Sequence, residues 1–299
     1  MTFDARGGKP PAPKNNALFA IAVVAVVGGA FLVALKFPGA SKVNSTGTRP
    51  PTIVATAEAP SVPTPAGWTS KAAGTYFQTL SRVDPGASAS LNRRLTKASK
   101  KPQSEQSEVV FEHAADLLKR HAADLARADT RHIDAILVMT RDRLRSASQS
   151  GSPWCQGSKF ADLDQATFAN KAALNRELKM LEEPLRDYGF ELVTHLLFAI
   201  EDARTHPVNH GELRQTDKAA MQGVMMSMVS DPQVMPLLMA AQTGGNPDEL
   251  VKSLNVCDLG ATAVIAIKTL PQDTKGRAFA DMVRQIELGG GDLTGLSQF

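Results

Sequence analysis

The sequence predicts an all-α protein: an N-terminal single transmembrane helix, a proline-rich linker and a globular array of about nine to ten helices. Three observations lead to this fold class. An uncharged run fills residues 17–35. From Trp68 onward apolar residues recur at helical spacing, without the sustained alternation that a strand needs. Asp-Pro and Asn-Pro pairs, such as Asp84-Pro85, mark helix starts.

The start of the chain predicts a membrane anchor. Residues 1–16 are polar and proline-containing, so we expect a disordered cytosolic tail. The run at 17–35 would form a helix of roughly 28 Å, close to the ~30 Å hydrocarbon thickness. A cleaved signal peptide is the alternative, but its apolar stretch usually has only about 7–15 residues. We therefore expect an uncleaved signal anchor over residues 17–36.

Two small residues in this segment, Ala25 and Gly29, lie four apart. Small residues at that spacing let two membrane helices approach closely, so the sequence allows a homodimer through the transmembrane helix. Residues 37–67 are rich in Pro, Thr and Ala, with almost no large apolar side chains. Such a segment buries too little surface to offset its ordering entropy, which predicts an extended linker.

The two cysteines, Cys155 and Cys257, indicate where the rest of the chain resides. A pair of cysteines in an exported chain predicts one disulfide, and two buried thiols in a cytosolic domain are the alternative. The charges that flank the span do not decide its orientation, because three cations precede it and three follow it. On the evidence of the cysteines, we expect a single-pass inner-membrane protein with a cytosolic N-terminus. Its helical domain, over residues 68–290, would lie in the periplasm or another extracytoplasmic space, followed by a flexible tail over 291–299.

Within the domain, Asp84 and Asp129 are expected to cap helices. Residues 105–127 are predicted to form one long amphipathic helix. Residues 190–200 (FELVTHLLFAI) and 259–267 (LGATAVIAI) are apolar almost all round, which indicates central helices. The last helix is expected near residues 274–288.

A polar stripe interrupts the first of these apolar helices. Glu191, His195 and Asp202 project within about 40° of one another on a 3.6-residue helix. A buried carboxylate–imidazole pair would have perturbed pKa values, as catalytic groups often do. The simpler interpretation is a solvent-facing side, since no nucleophile motif accompanies the stripe. These three residues are the candidate catalytic site.

Six of the ten methionines lie in one segment of nineteen residues: Met221, Met225, Met226, Met228, Met235 and Met239. Core packing is the simplest interpretation, because methionine fills irregular gaps. A flexible surface for a partner is the second. Thioethers also bind Cu(I), but no His or Trp lies within the stretch to complete a copper site. We expect packing of these helix faces against residues 190–200 and 259–267.

A basic stretch begins soon after the linker, and its candidate binding residues are Arg93, Arg94, Lys97, Lys100 and Lys101. Such a stretch can contact anionic lipid headgroups, an acidic polymer or an acidic protein, or simply form a solvated helix face. The net charge of +3 is small for a nucleic-acid-binding protein, and Trp and Tyr occur only twice each. We expect no nucleic-acid partner.

His206 and His210 share a short loop, but a metal would need further ligands that the neighbouring sequence does not supply. We therefore expect neither metal nor cofactor. The favoured function is a membrane-anchored interaction or scaffold protein, an adaptor or assembly subunit of a cell-envelope complex. The alternatives are an exported hydrolase that acts on envelope material through Glu191, His195 and Asp202, or a carrier of a small hydrophobic ligand whose cavity the methionines line.

Overall fold

The computed structural model describes residues 65, 67–161, 176, 179, 181–229, 232–236, 239 and 247–287. The predicted cytosolic tail, the signal anchor, nearly all of the linker and the C-terminal tail lie outside the described residues. Within these ranges no helix combines the length and the apolar character that crossing a bilayer requires.

The described residues form a helical array without strands, which confirms the predicted fold class for this part of the chain. The described ranges contain eleven α-helices, where about nine or ten were expected for the domain. They are α1 (Lys71–Val83), α2 (Pro85–Ala98), α3 (Gln103–Arg120), α4 (Ala122–Leu125), α5 (Thr130–Gln149), α6 (Ser158–Ala161), α7 (Leu185–Thr205), α8 (Gln215–Val229), α9 (Pro247–Ser253), α10 (Val256–Lys268) and α11 (Gln272–Glu287).

Short polar side chains start several of these helices. Asp84 accepts a hydrogen bond from the backbone amide three residues further on, and Pro85 occupies the first position of α2. Asp129 caps α5 through the amide of Arg131. Asn255 caps α10 and accepts from two successive amides. The caps expected at Asp84 and Asp129 are therefore confirmed.

The expectation of one helix over residues 105–127 is wrong. Helix α3 ends at Arg120, and α4 begins after His121. His121 has a non-helical backbone, with φ −106° and ψ 18°. Its ring makes a hydrogen bond of 3.1 Å with Asp84 at the junction of α1 and α2, and a second with Arg204. These side-chain contacts hold the chain where the helix is interrupted.

The main core lies between α1 and α7, which pack side by side, and α2, α3 and α4 cover it. Its centre is a group of aromatic rings whose centroids lie 5.2–6.2 Å apart: Trp68, Tyr76, Phe77, Phe111 and Phe190. Rings at these separations add favourable contacts to the burial of a large apolar area. Of residues 190–200, only Glu191, His195 and Phe198 are not buried, which confirms a central helix.

A second region packs α10 against α5, with Cys155 and Cys257 joined in a disulfide beside Leu144 and Val264. The predicted pairing of the cysteines is therefore confirmed. A short turn of 3-10 helix, Pro153–Cys155, leads into the disulfide. The central position expected for residues 259–267 holds for one side only, because Ile265 and Ile267 are exposed.

Helix α8 packs against α10 and also contacts α11. Met228 and Val234 are buried there against Leu259 and Ala263. Packing of the methionine segment against residues 259–267 is therefore confirmed. The buried cluster around Met228 contains no residue of 190–200, so that second predicted contact is not part of it.

Candidate functional site

Three helices, α1, α5 and α7, border an open cleft of about 690 Å³. Glu191 and His195 of the predicted polar stripe both line it. The cleft also has hydroxyl groups and apolar side chains; its other lining residues are Lys71, Ala72, Thr75, Met139, Asp142, Arg143, Ser146, Asp187, Thr194 and Phe198. Small-molecule sites are lined mainly by apolar side chains with a few polar groups, whereas charged side chains make up much of this open cleft.

The carboxylate of Glu191 is engaged by an arginine from the facing helix. Arg143 donates from Nε to Glu191 over 2.7 Å, and its Nη2 donates to the other carboxylate oxygen. The pairing with Glu191 raises the pKa of Arg143 above its ordinary value, although partial burial opposes the shift. A two-pronged pair of this kind fixes the carboxylate as a hydrogen-bond acceptor and joins α5 to α7.

His195 lies half-buried one turn further along α7. Burial lowers its pKa, because an imidazolium is less well solvated there than in water, and this outweighs the opposing effect of the Glu191 charge. The ring meets Phe198 edge-on, with centroids 6.2 Å apart. His195 is therefore mostly neutral near pH 7 and can accept a proton from a group bound in the cleft.

Asp202 is not among the residues that line the cleft. It lies in the last turn of α7 and binds His132 at 3.0 Å, Arg131 at 2.6 Å and His206 at 3.2 Å. Burial acts to raise the pKa of Asp202, but the hydrogen bonds from His132 and Arg131 outweigh it and hold the pKa below its usual range. The structure therefore divides the predicted stripe into a cleft pair, Glu191 and His195, and a separate ion-pair cluster around Asp202.

The two loop histidines point to different partners. His206 pairs with Asp202, whereas His210 donates from Nε2 to the carbonyl of Ala128 over 2.7 Å. Across the part of the chain that the structure describes, no group of three or more His, Cys, Asp or Glu side chains is arranged to hold a metal ion.

The methionines fall into an exposed and a buried set. Met225, Met226, Met235 and Met239 are 46, 66, 43 and 54% exposed, and we call these four the methionine surface. Met228 is 9% exposed and belongs to the cluster against α10. Met221 is intermediate. The simplest sequence interpretation, core packing, therefore describes Met228, whereas four of its neighbours reach the surface.

The basic residues also divide in two. Arg94 binds Glu112 at 3.2 Å, and Lys101 binds Glu105 at 3.1 Å, so both are paired with glutamates of α3. The remaining cations of the predicted set, Arg93, Lys97 and Lys100, are exposed and make no ion pair among the described residues. We call these three the basic stripe.

Sequence reasoning missed a buried ionic cluster between α8 and α11. Asp217 accepts two hydrogen bonds from Arg277, at 2.7 and 2.8 Å, and a third from the hydroxyl of Thr274. All three residues are buried. Asp217 looks like an ordinary first-turn acidic residue, and its partners lie about sixty positions away, so no local pattern indicates the cluster.

Comparison of the chain with protein-family models, with curated proteins and with solved structures finds no match. The side chains and the surfaces that they form are therefore what indicates a function for this fold.

Proposed function

We propose that this chain is a membrane-anchored, exported helical binding protein, an adaptor or assembly subunit of a cell-envelope complex. Its domain contacts a protein partner through the methionine surface. The observation that carries the proposal is the exposure of four methionines beside Met228, which is buried. Four large apolar side chains exposed within one short segment are more than the scattered single ones that a protein surface ordinarily carries.

The chemistry of methionine suits this role. Its unbranched thioether side chain adapts to the shape of an apolar partner and makes favourable contacts with aromatic rings. Helix α8 offers such side chains at its C-terminal half, and Met235 and Met239 follow it in sequence. The partner we propose is therefore an envelope protein that presents an apolar face.

The sequence and the disulfide support the placement outside the cytosol. The uncharged run over residues 17–35 has the length of a membrane span, and the 31 residues from 37 to 67 provide reach above the bilayer. The disulfide between Cys155 and Cys257 fits an oxidising compartment.

The geometry favours the two alternative functions less. For a hydrolase, the carboxylate of Glu191 is occupied by Arg143, and Asp202 lies outside the cleft. His195 makes no hydrogen bond to a hydroxyl among the described residues, as a nucleophile and its base would. For a carrier, the cleft is lined by Met139 and Phe198 rather than by the methionine surface, and charged side chains occupy much of it.

Site-specific photo-crosslinking in the native membrane tests the proposal. A benzophenone amino acid is placed at Met226 in the full chain, and at exposed Ser104 on α3 as the control site. We expect one crosslinked product of defined mass from position 226 and none from position 104. The measurement is gel mobility followed by mass spectrometry of the product.

A pair of substitutions identifies the surface that makes the contact. With the crosslinker at 226, Met225→Gln combined with Met235→Gln is expected to lower the yield of product at least tenfold, because two apolar contacts are lost. Gln222→Ala, an exposed position on the same helix, should leave the yield unchanged. An unchanged yield in the double methionine variant contradicts the proposed surface.

A further inference from the structure

We propose that the basic stripe, Arg93, Lys97 and Lys100, contacts anionic lipid headgroups of the membrane in which the chain is anchored. The inference rests on the proposed membrane anchor. It assigns a second surface, distinct from the methionine surface, and so gives the domain a defined orientation on the bilayer.

The arrangement of charge on α2 supports this assignment. Arg93 and Lys97 lie one turn apart on the helix, and Lys100 follows in the turn that closes it. Residues spaced by four and then three positions share one face. The neighbouring cations Arg94 and Lys101 are paired with glutamates of α3, so uncompensated positive charge remains on the side of α2 that carries the stripe.

The path of the chain brings the linker to the same end of α2. The amide of Gln103, in the first turn of α3, donates from Nε2 to the carbonyl of Gly67 over 3.0 Å. Gly67 is the last residue of the predicted linker, and Gln103 lies three positions after Lys100. The segment that leads from the membrane anchor therefore joins the domain beside the basic stripe.

The linker allows as few as three cations to hold the domain against the membrane surface. Each lysine or arginine near an anionic surface contributes roughly fivefold to partitioning, so three contribute about a hundredfold. Alone this is weak. A flexible linker of 31 residues has a root-mean-square reach of about 30 Å, which keeps the stripe at high effective concentration near the headgroups.

The test measures how close α2 lies to the lipid. Both native cysteines are in the disulfide, so Ala89→Cys adds one thiol that can be labelled under non-reducing conditions. Ala89 is exposed, one turn before Arg93. The full chain, with a donor dye at 89, is reconstituted into nanodiscs that contain acceptor-labelled lipid, in phosphatidylcholine alone or mixed with phosphatidylglycerol.

We expect at least twofold higher energy transfer in the anionic nanodiscs, and loss of that difference in about 1 M NaCl, where charges are screened within about 3 Å. Substituting Arg93→Gln, Lys97→Gln and Lys100→Gln together should remove the difference. The matched control is Arg145→Gln, Lys159→Gln and Arg214→Gln, which removes three exposed cations elsewhere and should retain it.

The outcomes separate the two proposals. Equal transfer in both lipids, or a difference that survives in the stripe variant, overturns lipid contact by the stripe while leaving the anchor intact. A chain that does not incorporate into phosphatidylcholine nanodiscs overturns the anchor and the inference together. The three stripe side chains are exposed and unpaired within the described residues, so we expect the variant to retain the circular dichroism spectrum of the parent.

Discussion

The carboxylate of Asp217 is held by four hydrogen bonds. Two come from Arg277, one from the hydroxyl of Thr274 and one from the backbone amide of Arg214, all at 2.7–2.8 Å. The bonds from Arg277 hold the pKa of Asp217 far below its usual range, although burial opposes the shift. This residue therefore joins the start of α8 to α11 in its charged form.

We expect Asp217→Asn to destabilise the protein by about 3–5 kcal/mol at neutral pH, because the buried guanidinium would lose its counter-charge. Urea denaturation followed by circular dichroism measures the loss. The control is Asp273→Asn, which alters an exposed carboxylate 3.8 Å from the same Arg277 and should change stability by less than about 0.5 kcal/mol. Equal losses of stability in both variants would show that the buried pair contributes no more than the exposed one.

The contribution of Asp217 to the free energy of unfolding decreases as pH falls. The pKa of Asp217 is lower in the folded state than in the unfolded chain, where it is about 3.9. Its contribution is therefore fully present above that value and is lost as pH falls below it toward the folded pKa. The stabilities of the parent protein and of Asp217→Asn should therefore approach each other as pH falls from about 4 to 2.

At the level of residues, local contacts were predictable and distant ones were not. The caps Asp84 and Asp129 follow from short-range hydrogen bonds that any sequence window contains. The angular closeness of Glu191, His195 and Asp202 also follows from helix geometry. The partners of these residues could not be predicted, because Arg143 and His132 approach from α5. The sequence does not show how α5 is aligned against α7.

At the scale of helices, the start of α6 packs so closely against the end of α9 that position 157 has no room for a side chain. Gly157 donates its amide to the carbonyl of Leu254 over 2.8 Å, beside the bridge between Gln156 and Asn255. A Cβ at position 157 would overlap the carbonyl oxygen of Val251 and lie 3.0 Å from that of Leu254. Glycine allows these two segments to approach backbone to backbone.

Gly157→Ala is therefore expected to cost about 1–3 kcal/mol, since one of the two segments must shift. Gly223→Ala provides the matched control. Within the part of the chain that the structure describes, no atom lies within 4 Å of a Cβ added there, in the middle of α8. This substitution should therefore stabilise the protein by about 0.5–1 kcal/mol. Thermal unfolding of both variants checks the opposite signs, and a neutral Gly157→Ala would contradict the close approach.

For whole helices, the pattern of apolar residues predicted burial well where the fold surrounds the helix. Residues 190–200 proved central as expected. The run at 259–267 has the same composition, yet α10 lies between α5 and α8 and leaves Ile265 and Ile267 exposed. The break at His121 was also missed, because it depends on Asp84 and Arg204, which are distant in sequence.

Across the molecule, burial is uneven, and this predicts a gradient of local stability. The side chains of Tyr76, Phe77, Phe190 and Leu197, on α1 and α7, are fully buried. Helix α8 buries Met228 and Asp217 but exposes most of its remaining side chains. Elements with few buried apolar contacts open more readily than the rest of a fold.

Hydrogen exchange measured by mass spectrometry should show this gradient. Peptides from the centres of α1 and α7 are expected to exchange at least a hundredfold more slowly than peptides from the C-terminal half of α8. The N-terminal half of α8, held by Asp217, provides an internal comparison. Equal protection of α7 and the end of α8 would contradict the prediction.

At this scale the sequence predicted the class of fold and the disulfide, but not the arrangement of helices. The fold class follows from the helical spacing of apolar residues. Two cysteines can pair in only one way. The side-by-side packing of α1 and α7 requires the chain to return after more than a hundred residues, which no window of sequence contains.

The disulfide also governs how the domain responds to tension. Its two cysteines are 102 positions apart, so the bond withholds roughly 350 Å of contour length from stretching. A pull through the linker is applied first at Trp68, which is clamped between Phe77 and Phe190. Load applied between the linker and α11 would therefore extend at most the residues ahead of Cys155 and those after Cys257, and the segment between the two cysteines would stay closed by the disulfide.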